Sequence, residues 1–174
     1  MLQKNRRIIL EDGSYYDGYG FGSNEDKVLE VVFNTSVVGY QEIISDPSYT
    51  DQGVVMTYPL IGNYGMADDD YETDIPTISG LIVREYNDDP SNFRSKETLD
   101  VVMKRYNIGG ISGIDTRKLT RQIRSKGSCR ALLTTVDTTV EEGCWFKKIE
   151  YSSFKKDIIL EKRRNSHTTF LLYQ

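Results

Sequence analysis

The sequence predicts a mixed α/β domain, with strands mostly in its first half, helices in its second, and the helices packed on one side of a sheet. Three observations carry this. Short apolar and aromatic runs, each bounded by Gly, Pro, Asn or Asp, fill the chain from Ile8 to Tyr86. The apolar spacing switches to the helical period only after Glu97. Strand-like and helix-like segments do not alternate regularly, as they would in a doubly wound fold.

The elements follow in order. Ile8-Ile9-Leu10 runs into Asp12-Gly13, and a strand-like aromatic pattern resumes from Tyr15 to Tyr19, which together mark a hairpin. Val28 to Asn34 reads as a second strand region, Gly53 to Tyr58 as a third stopped by Pro59, and Ile78 to Tyr86 as a fourth. From Glu97 to Tyr106, Leu99, Val102, Met103 and Tyr106 share one helical face; Ser95 is available as the N-cap, and Gly109 lies just beyond the end. Ile111 and Ile114 form a short extended link. A second helix is predicted from Thr116 to Ser125, capped by Asp115 or Thr116, stopped by Gly127, and facing the core through Leu119 and Ile123. Ala131 to Thr134 returns as a strand, and Thr138 with Glu141 forms a capping box that opens a third helix through about Ile149.

Composition limits the function. A chain of 174 residues supports one domain of ordinary size, and 38% hydrophobic with 28% charged residues is too apolar for disorder and too polar for a membrane protein. The apolar runs are strand-sized and the first residues carry no secretory pattern, so a cytoplasmic protein without membrane association is expected. With 26 acidic against 22 basic residues and a net charge of −4, nucleic acid is not an expected partner. Cys129 and Cys144 have no Cys-x-x-Cys spacing and no histidine beside them, which argues for ordinary reduced thiols.

Several motifs invite a functional reading. Gly18, Gly20 and Gly22 lack the spacing and following helix of a phosphate loop, so a glycine-rich bend between strands is expected. Asp68, Asp69, Asp70, Glu72 and Asp74 lack the alternating ligands and the glycine of a calcium loop, which leaves a solvated acidic loop. Arg117, Arg121 and Arg124 line one helical face opposite Leu119 and Ile123. That row reads as a solvated outer face, or else as an arginine-rich surface for acidic side chains of a partner protein. Catalysis through a thiolate requires a histidine base, and the single histidine, His167, lies among the last few residues, far in sequence from either cysteine. No cysteine-dependent amidase activity is expected of the chain. Ser48, following Pro47, reads locally as a turn residue bonded to its own backbone.

Four long stretches carry a resemblance. They are Val31-Val32-Phe33-Asn34-Thr35-Ser36, Gly39-Tyr40-Gln41-Glu42-Ile43-Ile44-Ser45-Asp46-Pro47-Ser48-Tyr49, Thr57-Tyr58-Pro59-Leu60-Ile61-Gly62-Asn63-Tyr64-Gly65 and Gly113-Ile114-Asp115-Thr116-Arg117-Lys118-Leu119-Thr120-Arg121. In this order the chain, from about Ile8 to Thr135, resembles the amino-terminal domain of the carbamoyl phosphate synthetase small subunit. The resemblance implies a β/β/α domain of the swivelling type that packs against a large subunit, joined to a glutamine amidotransferase domain. It also implies carbamoyl phosphate synthesis for the arginine and pyrimidine pathways, with ATP and metal bound by the large subunit and no cofactor in this chain. Ser48 corresponds to the family's serine that contacts glutamine at the boundary with the amidotransferase domain. The resemblance covers residues 1–150 as a domain; residues 151–174 read as an atypical tail outside the family pattern, and nothing in the sequence matches the amidotransferase domain. The alternative reading is a free-standing, non-enzymatic interaction module derived from this domain.

Overall fold

The computed structural model describes residues 3–66, 72–73, 75–89, 96–127 and 129–143. In chain order the strands are β1 (Arg6–Leu10), β2 (Tyr15–Gly22), β3 (Lys27–Asn34), β4 (Gln52–Met56), β5 (Leu60–Ile61), β6 (Gly80–Ile82), β7 (Glu85–Tyr86), β8 (Gly109–Ser112) and β9 (Cys129–Thr135). The helices are α1 (Tyr40–Ser45), followed by a 3₁₀ turn (Pro47–Tyr49), then α2 (Leu99–Arg105), α3 (Thr116–Lys126) and α4 (Val140–Gly143). Seven strands close a barrel in the order β1-β2-β8-β6-β4-β3-β9, with β9 pairing back onto β1 through Ile8 and Leu133. β3, β4, β6 and β8 run parallel to one another, the other barrel pairings are antiparallel, and β5 and β7 form a small separate parallel pair.

Alternation along the strands splits the core in two. Ile8, Leu29, Val31, Val55, Ile82, Ile111 and Leu133, drawn from six barrel strands, point inward and meet Leu119 and Ile123 of α3. Phe21, Val54, Met56 and Leu81 point outward from one side and meet Ile43 and Ile44 of α1 and Val102 and Met103 of α2. The mixed α/β class therefore holds. The expectation of helices on one side of a sheet does not: α1 and α2 cover the outer face, and α3 packs against the inner one. Burying one such aliphatic side chain contributes about 1.5–3 kcal/mol, so both layers bear on stability.

The hairpin, the strand from Val28, α3 and the strand at Ala131 lie where the sequence places them, to within a few residues. Asp12 makes the hairpin turn by accepting from the Ser14 backbone at 2.8 Å, with Gly13 at φ 88°. Asp115 caps α3 by accepting from the Lys118 backbone at 2.9 Å.

Other readings need correction. Gly18, Gly20 and Gly22 are not a bend between strands but lie within β2, where neighbouring backbone crowds Gly18 and Gly22 too closely for a side chain. A Cβ on Gly18 would stand 2.1 Å from the Ser112 carbonyl oxygen. The extended link at Ile111 is a full barrel strand, β8, between β2 and β6. Its two glycines weaken the strand signal, yet the Phe21 ring occupies the space a Cβ on Gly110 would need, 2.6 Å away. The run from Ile78 to Tyr86 divides after Val83, so that β6 joins the barrel while β7 pairs with β5. The N-cap of α2 is Thr98, whose hydroxyl accepts from the Val101 backbone, and Ser95 lies outside the described residues. Thr138 does not open α4, since its hydroxyl shares a 2.9 Å hydrogen bond with that of Thr134 and the helix begins at Val140. The predicted continuation of that helix to Ile149 and the tail from 151 also fall outside the described residues. Among the described residues, no helix is long and apolar enough to cross a membrane.

Candidate functional site

α1 has a short six-residue sequence, no side-chain cap of its own, and an N-terminal Gly39 in the left-handed region at φ 81°. Its first amides are satisfied from elsewhere in the chain. The Tyr64 hydroxyl accepts from the backbone N–H of Gly39 at 3.0 Å and of Tyr40 at 2.9 Å. Tyr64 also stacks on Tyr40 with ring centroids 4.1 Å apart, and the Tyr40 hydroxyl donates to the Gly65 carbonyl at 2.7 Å. Burial pushes the Tyr40 phenol well above its ordinary range, so it acts as a neutral donor.

The far end of α1 is held just as firmly. Ser45 is fully buried, and its hydroxyl donates to the Gln41 carbonyl at 2.9 Å and accepts from the Glu72 backbone at 2.9 Å. The Thr73 hydroxyl donates to the Ser45 carbonyl at 2.7 Å, and that of Thr77 to the Asp46 carbonyl at 2.8 Å. The chain leaves this anchored end directly into the 3₁₀ turn. Pro47 supplies its fixed φ, Asp46 accepts from the Ser48 backbone at 2.8 Å, and the Tyr49 phenolic oxygen accepts from the Asn34 amide at 3.1 Å.

Ser48 stands exposed at the apex of this turn. The sequence reading of Ser48 as bonded to its own backbone is corrected here, because Asp46 makes that bond. Among the described residues, the Ser48 hydroxyl has no hydrogen-bond partner. A hydroxyl both exposed and fixed in position can donate and accept one hydrogen bond each to a polar ligand. Among the described residues no histidine stands beside it, and the neighbouring Asp46 carboxylate is engaged by the Ser48 backbone N–H, so the geometry suits binding and not nucleophilic attack. At the start of α1, Val37 and Val38 are exposed, and with Tyr40, Tyr58 and Tyr64 they border a small cleft of about 100 Å³.

Sequence reasoning missed Asp46, Asn34 and Tyr64 as the parts that hold Ser48. The Asp-Pro-Ser succession is a readable turn signal, whereas nothing local marks Asn34 or Tyr64. The four tyrosines singled out by the motifs divide accordingly: Tyr40 is buried, and Tyr49, Tyr58 and Tyr64 are half-buried against the outer core layer.

Among the described residues the other candidates form no second site. Cys129 is buried on β9, and burial raises its thiol above the ordinary value, which disfavours the reactive thiolate. Cys144 and His167 lie outside the described residues, as do Asp68, Asp69, Asp70 and Asp74 of the acidic loop. Among the described residues, no cluster of three or more histidine, cysteine or acidic side chains could hold a metal ion. Arg117, Arg121 and Arg124 remain exposed on α3, as their spacing requires.

Comparison with known proteins bears on the family of the chain. Residues 8–133 match the profile of the carbamoyl-phosphate synthase small chain, CPSase domain. A carbamoyl phosphate synthase small chain of Fusobacterium nucleatum is 56% identical over 138 residues, covering 79% of this chain and 38% of that protein. One of Oceanobacillus iheyensis is 50% identical over 154 residues, covering 88% of this chain and 42% of the relative. A pyrimidine-specific small chain of Halalkalibacterium halodurans is 56% identical over 137 residues, covering 79% and 38%. An aminopeptidase from Aneurinibacillus sp. strain AM-1 aligns in structure over 76% of this chain and 30% of its own, at 14% identity and a TM-score of 0.39, too slight a likeness to inform the fold. The chain belongs to the carbamoyl-phosphate synthase small chain family. It corresponds to the N-terminal portion of these relatives and spans about two fifths of their length.

Proposed function

We propose that this domain is the non-catalytic N-terminal part of a glutamine-dependent carbamoyl phosphate synthetase small subunit. It docks on the large subunit and lends Ser48 to the edge of the glutamine site. The domain is of the swivelling type, and the carbamoyl phosphate it helps to make serves arginine and pyrimidine synthesis. Glutamine hydrolysis takes place in an amidotransferase domain, and ATP and metal are bound by the large subunit.

The observation that carries this reading is the match over residues 8–133 together with the exposed, unpartnered hydroxyl of Ser48 on a braced turn. The buried Cys129 supports the absence of chemistry in the domain itself. Large-subunit docking is tested by mixing the purified chain with the large subunit of the Fusobacterium nucleatum relative. Co-elution at micromolar concentration is expected, and separate elution counts against the docking role.

A further inference from the structure

α3 presents a second feature. Arg117, Arg121 and Arg124 rise from one side of α3, and Arg84, in the turn after β6, joins them along a cleft of about 450 Å³ floored by Thr120 and walled by Pro59. The Gly113 backbone donates to the Arg84 carbonyl at 2.8 Å, which ties the backbone of that turn to the segment leading into α3. Among the described residues no carboxylate lines the cleft. Asp115, at the edge of the row, is committed to capping α3, and Glu85 stands 3.9 Å from Arg84, with both side chains largely exposed. Arg124 lies over the Phe33 ring at 5.7 Å, which restrains its guanidinium on the cleft side. Thr120 is nearly buried beneath the row, and its hydroxyl has no partner.

Four guanidinium groups gathered on a protein of net charge −4 form a local exception to its overall sign. Seven residues of helix separate Arg117 from Arg124, a distance of about 10 Å. One tetrahedral anion would engage only part of such a row, whereas carboxylates spaced along a polypeptide can engage its whole length. Guanidinium forks also suit paired carboxylates better than lysine would.

We infer that the Arg84/Arg117/Arg121/Arg124 cleft is where an acidic segment of the large subunit docks, with two or more carboxylates bridging the row. The inference rests on the docking role proposed above and gives it a location. The probe is a labelled peptide of alternating glutamate and alanine, with inorganic phosphate and an oligothymidylate as competitors, applied to the full 174-residue chain. The peptide should bind with an affinity that falls steeply with salt. The triple variant Arg117→Gln/Arg121→Gln/Arg124→Gln should weaken it about tenfold or more, the scale of losing several charge-assisted contacts. Arg84→Gln, which leaves α3 untouched, should weaken it in the same direction. The control Lys4→Gln/Lys104→Gln/Arg105→Gln, with equal charge loss elsewhere, should change it little. All four cleft arginines are exposed, and unaltered circular dichroism melts will verify the fold. Equal weakening by the control, peptide binding no tighter than phosphate, or tighter binding of the oligothymidylate overturns the inference. If the chain binds the large subunit and the triple variant binds it equally well, this location is wrong and the docking role stands. If the chain does not bind the large subunit at all, the docking role fails, and the peptide result alone decides whether the cleft takes carboxylates.

Discussion

α3 and α1 reach helical structure by opposite routes. α3 runs for eleven residues, caps itself with Asp115, ends before Gly127 and buries a regular stripe of Leu119 and Ile123. α1 runs for six, too short to form alone, and borrows its N-terminal acceptor from Tyr64 and its C-terminal brace from Glu72, Thr73 and Thr77. One is specified by neighbouring residues, the other by the rest of the fold. The borrowed helix is the one that delivers Ser48. A site made this way is fixed in position only when the domain is folded, and perturbing a distant brace should loosen it.

The largest expected effect is at Tyr40, which is 2% exposed, stacked on Tyr64 and bonded to Gly65. Tyr40→Ala should cost about 3–5 kcal/mol, the range for truncating a buried aromatic, measured by urea unfolding. A loss below about 1 kcal/mol would show that α1 does not depend on this packing. Next comes Tyr64→Phe, which keeps the ring and removes the acceptor for two backbone amides. It should cost about 1–3 kcal/mol and should speed hydrogen exchange at Ile43 and Asp46, whose amides bond within α1. Asp115→Ala should cost about 1 kcal/mol and fray only the first turn of α3. The comparison between the two helices breaks if Asp115→Ala proves the more costly of the last two.

The smallest effect is one of pH, at the hairpin turn that meets the end of α3. Burial raises the Asp12 carboxyl, but hydrogen bonds from Lys126 and Ser14 outweigh it and hold the pKa at about 2, against an ordinary 3.8. A depressed folded-state pKa stabilises the fold above the unfolded value, and that gain fades as pH falls through about 2. The difference in urea midpoint between the wild type and Asp12→Asn should therefore shrink as pH falls below about 4 and disappear only below about 2. Because the pair is exposed, the whole effect should be small and weakened by salt.

What the sequence made legible follows the same division. Asp12-Gly13, Asp115 and Gly127 are signals whose partners lie within a few residues, and the hairpin and α3 stand where those signals put them. α1 gives no such signal, since its cap lies some two dozen residues further along the chain. β8 is hard to read because Gly110 answers a steric demand from Phe21, and barrel closure leaves no local signal because it depends on β9 meeting β1. Ser48 was reached through the resemblance of its motif; locally it was assigned a backbone bond that Asp46 makes instead. Arg84 was missed as a companion of the arginine row, since only the turn after β6 brings it to α3.

The most direct test of the account is Ser48→Ala in a chimaera that carries residues 8–133 of this chain in the Fusobacterium nucleatum small chain, assembled with the large subunit. The exposed hydroxyl makes no contact that holds the turn, so thermal stability should be unchanged. Loss of one neutral hydrogen bond of about 0.5–1.5 kcal/mol should raise the glutamine KM roughly two- to thirteenfold. Turnover at saturating glutamine and ammonia-dependent synthesis should stay intact, because the contact is equal in ground and transition states and ammonia bypasses the glutamine site. An unchanged KM, abolished turnover at saturating glutamine, or equal damage to the ammonia-dependent reaction would contradict the role assigned to Ser48.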